Sequence, residues 1–314
     1  MGRTFRPFDG VLLFDKALGL SSNAALQKVR HLYQAEKAGH TGTLDPLATG
    51  LLPICFGEAT KFSNCLLDAD KTYQAIVRLG QTTTTGDAEG VIVEEHPVAV
   101  DIAQVHAVLE KFRGAIWQLP PMYSALKYRG RPLYEYIRSG QTVERDARKV
   151  EIHDLILDYL EGEQMAIKVR CSKGTYVRTL AEDVGAALGC GAHLIGLRRS
   201  AIAHFDLADA YDLQRLQEMD TSARDCCVLS LESLMPKLQR LDLDQAQVKR
   251  LAQGQRLLLD QDYPESGRVM LIGPSGFIGL GTLNGRHLAP ERLLSGVAKE
   301  ASSTGVPRNF GVEV

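Results

Sequence analysis

The run Gly39-His-Thr-Gly-Thr-Leu-Asp-Pro-Leu-Ala-Thr-Gly-Leu-Leu-Pro53 constrains this chain more than any other stretch. Three glycines (Gly39, Gly42, Gly50) and two prolines (Pro46, Pro53) force the backbone to turn sharply more than once. Into that turning segment are set one histidine, His40, and one carboxylate, Asp45, with no other carboxylate between Glu36 and Glu58. Pro46 disfavours helical φ/ψ at Asp45 and pushes it toward an extended or turn conformation. The flanking Leu44, Leu47, Leu51 and Leu52 supply an apolar wall. Two readings follow. The carboxylate either closes an Asx-turn on nearby N–H groups or serves as a nucleophile or acid-base group on a rigid loop. A phosphate cradle is excluded, because neither Gly-Lys-Ser/Thr nor G-x-G-x-x-G occurs here.

At 314 residues the chain exceeds what one core usually fills, which predicts one large and one small domain. The opening Met1-Gly-Arg-Thr-Phe-Arg-Pro-Phe has no apolar core of a signal peptide, and no run reaches about 18 apolar residues. A cytoplasmic protein without a membrane segment is expected. The six cysteines, at 55, 65, 171, 190, 226 and 227, form no C-x-x-C, so no metal site is expected and the thiols should stay reduced. The net charge of −2 hides strong segregation. Residues 127–149 carry seven Lys/Arg against three Asp/Glu, residues 168–199 six against two, and residues 205–246 four against nine. Local charge, not the total, governs attraction to phosphate, so the two basic segments are a candidate nucleic-acid surface or else an ordinary solvated face.

Val11–Phe14 reads as a buried strand, and Ser21-Ser22 as the cap of a helix burying Leu26, Val29 and Tyr33. Lys71–Leu79 alternates, with Tyr73, Ala75, Val77 and Leu79 on one face. Gln81–Gly90 reads as a polar, mobile loop. Ile102, Val105, Val108, Leu109 and Phe112 mark an amphipathic helix. Tyr123, Tyr128, Tyr134 and Tyr136 then interleave with Lys127, Arg129, Arg131 and Arg138, a pattern suited to unpaired bases beside phosphates. Met165, Ile167, Val169 and Cys171 line a strand face. The helix after it buries Val177, Leu180, Ala181, Val184 and Leu188 and stops at Gly189. On that helix Arg178 could pair with Glu182 at i+4. His193–Arg199 reads as a strand, and glycines from Gly254 to Gly285 separate short strands.

Gly39–Pro53, continuing through Gly57–Ser63, resembles the central motif of the TruB family, the bacterial tRNA pseudouridine-55 synthases. Gly10–Lys16, Pro121–Lys127 with Pro132–Tyr136, Cys171–Thr179 and Gly189–His193 resemble further family motifs in the same order. The resemblance covers residues 10 to about 200. It departs at Ala17, where the family usually has proline after Asp-Lys. It implies an α+β pseudouridine-synthase catalytic domain, with a mixed, largely antiparallel central sheet flanked by helices. Residues 1–246 would form that domain, with an RNA-clamping insertion at about 124–150. Residues 247–314 would form a small PUA-like β module ending in a flexible tail from about Val297. The implied roles are Asp45 as the catalytic carboxylate, Tyr73 and Tyr176 against the target base, and Arg178 on Asp45. His40 would fill the space left by an everted nucleotide, and Leu197 would meet the nucleotide through its backbone. The implied reaction is isomerisation of a uridine in the T-stem-loop of tRNA, needing no cofactor and no metal, by a monomer without an obligate protein partner. A noncatalytic RNA chaperone and a synthase acting on another RNA stay open on these residues.

Overall fold

The computed structural model describes residues 5–297, and its contacts divide the chain into two compact units. The first is built on Leu12–Val228; the second takes Asp9–Val11 and the chain from Leu229 onward.

A nine-stranded sheet organises the first unit, which takes β1 from Leu12 onward: β1 (Gly10–Lys16), β2 (Ala38–His40), β3 (Ala48–Phe56), β4 (Lys71–Leu79), β5 (Gly114–Gln118), β6 (Arg148–Glu161), β7 (Gln164–Cys171), β8 (Ala192–Ile202) and β9 (Phe205–Asp206). The order is β1-β3-β8-β4-β7-β6-β5, with β2 on β3 and β9 on β8. β3 and β8 run parallel, whereas β4/β8, β7/β4, β6/β7, β6/β5 and β2/β3 are antiparallel. Four helices matter here: α1 (Ser22–Leu32), α2 (Ile102–Lys111), α3 (Leu133–Arg138) and α4 (Val177–Leu188).

The alternation of β4 and β7 is what the sheet uses. Ala75, Val77 and Leu79 and, across the ladder, Met165, Ile167, Val169 and Cys171 are buried together against Val105, Val108 and Leu109 of α2 and Leu180, Ala181 and Val184 of α4. Ile102, placed by its spacing on the same stripe, is instead exposed in the first turn of α2. A second core packs Ala25, Leu26, Val29 and Tyr33 against Leu12, Phe14, Leu52, Ile54 and Phe56. Ser21 caps α1, accepting from the Ala24 N–H at 3.1 Å. Gly189 ends α4 in the left-handed conformation, φ +81°.

Between β5 and β6 the basic segment forms a two-stranded hairpin, Lys127–Tyr128 with Arg131–Pro132, followed by α3. It has its own small core of Met122, Leu133 and Val143. Its tyrosines are covered by its arginines, Arg129 over Tyr128, Arg131 over Tyr136 and Arg138 over Tyr134. The loop expected at Gln81–Gly90 is more ordered than its polarity suggests. Gln81–Thr83 pairs with Ile92–Glu95, and Asp87 is buried, because a charged partner waits for it in the interior.

The second unit is a five-stranded sheet of Gln239–Asp242, Gly267–Gly273, Gly276–Asn284, His287–Leu293 and Leu257–Leu258, in that spatial order. Helix Gln245–Ala252 buries Val248 and Leu251 in its core. Beyond Val297 itself, the tail expected to be flexible lies outside the described residues.

Candidate active site

Two buried side chains fix the Gly39–Pro53 segment from opposite sides. Ser22, in the first turn of α1, donates to the Leu44 carbonyl at 2.8 Å and accepts from the Leu44 N–H at 2.7 Å. Arg199, on β8, donates to the carbonyls of Leu51 at 2.7 Å and Gly42 at 3.0 Å, and hydrogen-bonds the Tyr73 side chain. This guanidinium is fully buried with no carboxylate beside it among the described residues; its donors are spent on loop carbonyls and a phenol. Its burial without a counter-ion pulls its pKa down, and burial pushes the Tyr73 hydroxyl up. Gly50, at φ +98°, lies so close to Arg199 that a Cβ would overlap the Arg199 carbonyl and amide.

Held in this way, Asp45 does not close an Asx-turn. Among the described residues its carboxylate has one ion-pair partner, Arg178, at 2.9 Å. Arg178 leaves Glu182 unpaired with it and instead serves two carboxylates, Asp45 through Nη2 and Asp87 through Nη1 at 3.0 Å. The same guanidinium donates to the carbonyls of Tyr123 at 2.6 Å and Thr85 at 3.2 Å. Its side chain is 7% exposed and that of Asp87 2%, while Asp45 keeps 44%. Asp45 is thus tethered at one oxygen and open on the other side. Protein crowds it nonetheless, and desolvation raises its pKa; Arg178 opposes this, Asp87 adds to it, and Lys16 opposes it. Lys16 is fully buried, its ammonium donating to the carbonyls of Leu20 at 2.6 Å and Ala17 at 3.0 Å, and burial lowers its pKa to about 8.

The open side of Asp45 faces a cavity of about 170 Å3 whose wall includes Tyr73, Tyr176, Leu197, Ala48 and Arg178. Tyr73 comes from β4, Leu197 from β8 in register with Ala48 and Ala75, and Tyr176 from the N-cap position of α4. The Tyr176 backbone is clamped by the buried Gln118 amide, which accepts from its N–H at 3.0 Å and donates to its carbonyl at 3.3 Å. Of the residues singled out from sequence, Asp45, Tyr73, Tyr176, Arg178 and Leu197 meet here. His40 does not line the cavity. It sits half-buried on β2 opposite Ile54, its Nδ1 buried and unpartnered, its pKa lowered by burial and by Arg199.

Sequence reasoning missed Ser22, Asp87, Gln118 and Arg199. Asp87 lies among threonines and glycines and Arg199 beside an identical Arg198, so neither carries a local signal of burial. Ser22 was read only as a cap.

A carboxylate fixed at one oxygen, open at the other and facing aromatic and aliphatic walls can meet a small planar ring. Comparison with known proteins bears on the chain as a whole. Residues 30–177 match the family described as "TruB family pseudouridylate synthase (N terminal domain)". Residues 178–236 match "tRNA pseudouridylate synthase B C-terminal domain", and residues 240–294 "Pseudouridine synthase II TruB, C-terminal". Relatives named tRNA pseudouridine synthase B include one from Azoarcus sp. (strain BH72), 52% identical over 92% of this chain and 96% of its own. Another, from Chromohalobacter salexigens, is 51% identical over 92% of this chain and 95% of its own. Among solved structures, a Cbf5-Nop10-Gar1 complex contains a chain superimposing with TM-score 0.68 at 22% identity, covering 90% of this chain and 84% of that one, a likeness of fold.

Proposed function

The chain belongs to the TruB family of pseudouridylate synthases and is a tRNA-modifying enzyme of that class, and we propose that it isomerises the uridine at position 55, in the T-stem-loop, with Asp45 as the reacting carboxylate. The observation that carries this reading is the Asp45–Arg178 ion pair at 2.9 Å on the wall of a cavity flanked by Tyr73, Tyr176 and Leu197.

In the reaction the bond from C1′ of the ribose to N1 of uracil breaks, the freed base turns, and a bond from C1′ to C5 forms. The proton on C5 is lost and one is gained at N1. No electrons are gained or lost and no group leaves, so the chain's own residues suffice. The uridine must leave the helical stack, at a cost of a few kcal/mol offset by contacts in the pocket. Tyr73 and Tyr176 flank the everted base, the Leu197 backbone meets it, and His40 stands near the vacated place. Arg178 keeps Asp45 ionised and aimed. Asp45 either attacks the nucleoside or acts as the base that opens a glycal route; both need an ionised oxygen. The arginine-covered tyrosines of residues 124–150 clamp the RNA arm. The enzyme works as a cytoplasmic monomer without an obligate protein partner.

The test is tritium release from tRNA carrying 5-tritiated uridine. Asp45→Asn abolishes release while filter binding of the tRNA persists; full activity of that variant ends the proposal.

A further inference from the structure

The single tryptophan of the chain, Trp117, lies on β5, the last strand of the large sheet, and is 69% exposed. A tryptophan ordinarily hides most of its apolar surface, and so large an open indole marks a contact site. Its surroundings say what kind. Directly across the ladder from Trp117 is Lys149, with Arg148 beside it opposite Gln118. Both cations are exposed, and neither makes an ion pair within the described residues. Leu119, two residues on, is 46% exposed. Alternation puts the indole on the sheet face opposite the buried Gln118 side chain.

From this geometry we infer that Trp117 is a stacking platform for an unpaired base of the RNA substrate, with Lys149, on the same sheet face, on the adjoining phosphate. The inference rests on the reading of the chain as an enzyme acting on RNA. An indole beside a cation matches a base with its phosphate, since every base has a π-face and every nucleotide a negative charge. An apolar protein partner would leave Lys149 facing a neutral surface. Position supports the same occupant. Trp117 stands at the root of the basic insertion of residues 127–149, on the sheet face opposite Gln118, whose amide holds the Tyr176 wall of the pocket. RNA that leaves the pocket along the insertion reaches the indole by passing round this edge strand. A base parked there fixes the distance between the everted nucleotide and a second point on the strand, so Trp117 acts on affinity and register.

Because the chain has one tryptophan, its emission reports on this site alone. The full chain is titrated with an unmodified T-arm hairpin, binding being scored independently by filter retention. The expected result is quenching that saturates together with retention. Trp117→Ala weakens binding about tenfold, Trp117→Phe restores most of it, and the loss in kcat/KM is carried by KM. Retention without any change in emission, or Trp117→Ala binding as tightly as the parent, overturns the inference. The two readings fail separately: pseudouridine formed with a silent indole removes the stacking site alone, whereas a responsive indole without pseudouridine removes the reaction and keeps the RNA contact.

Discussion

Arg178 divides one positive charge between two carboxylates, and the arithmetic of that sharing sets the charge state of Asp45. Desolvation and Asp87 both raise the Asp45 pKa, so the acid limb of the rate profile belongs above the ordinary carboxylate range. Single-turnover rates therefore fall as the pH drops through that raised value. Asp87→Asn removes the like charge, which moves the limb to lower pH. It also frees one end of Arg178, and the lost aim at Asp45 lowers the plateau rate by up to about 100-fold. A limb that stays put shows that Asp45 does not feel Asp87. For stability the sign is opposite to the usual carboxylate. A raised folded-state pKa means the folded chain binds more protons than the unfolded one between the two pKa values, so Asp45 weakens the fold as pH rises through that window. Arg199→Met strands two carbonyls and a phenol, and should lower the unfolding free energy by about 3 kcal/mol, read from the urea midpoint. Asp45 announced itself in the sequence as the one carboxylate in a glycine- and proline-rich run. Asp87 could not, because a buried carboxylate in a polar loop is known only by its distant partner, 91 positions away.

Strands with one wet face were legible as elements, since alternation itself encodes which side is buried. β4 and β7 show this, Tyr73 to Leu79 and Met165 to Cys171 each placing every second residue in the core. β8 was legible as a strand but not in its inner details. Arg198 turns outward to Asp15 at 2.6 Å while Arg199 is engulfed, and nothing in two adjacent arginines says which goes where. One element that cannot take a single added methyl group is β3 where it meets β8. Gly50→Ala adds an atom where Arg199 backbone already lies, at a φ that alanine resists, and should destabilise the fold by about 3 kcal/mol or more. Gly174→Ala is the control. Its φ is also positive, +80°, but open space surrounds it, so about 1 kcal/mol is expected. Equal urea midpoints for the two variants would contradict the close approach.

At the scale of the whole molecule the basic insertion is separable, because Met122, Leu133 and Val143 give it a core of its own. Replacing residues 126–144 by a short linker leaves Tyr123 in place to accept from Arg178, and the remainder should keep its unfolding free energy to within about 1 kcal/mol, read from the urea transition. Affinity for tRNA should fall, and the plot of log K against log salt should become shallower by about one unit for each phosphate that the shortened chain no longer neutralises. An unchanged slope would assign the tRNA contacts elsewhere. The parallel pairing of β3 with β8 has one more outcome, for the chain as it leaves the ribosome. Leu51 and Arg199 touch although 148 positions separate them, and Gly42 and Arg199 although 157 do. Such distant partners meet late, after most of the intervening polypeptide has been made. Any nascent fragment that stops short of β8 therefore lacks the Arg199 clasp that holds the loop carrying Asp45.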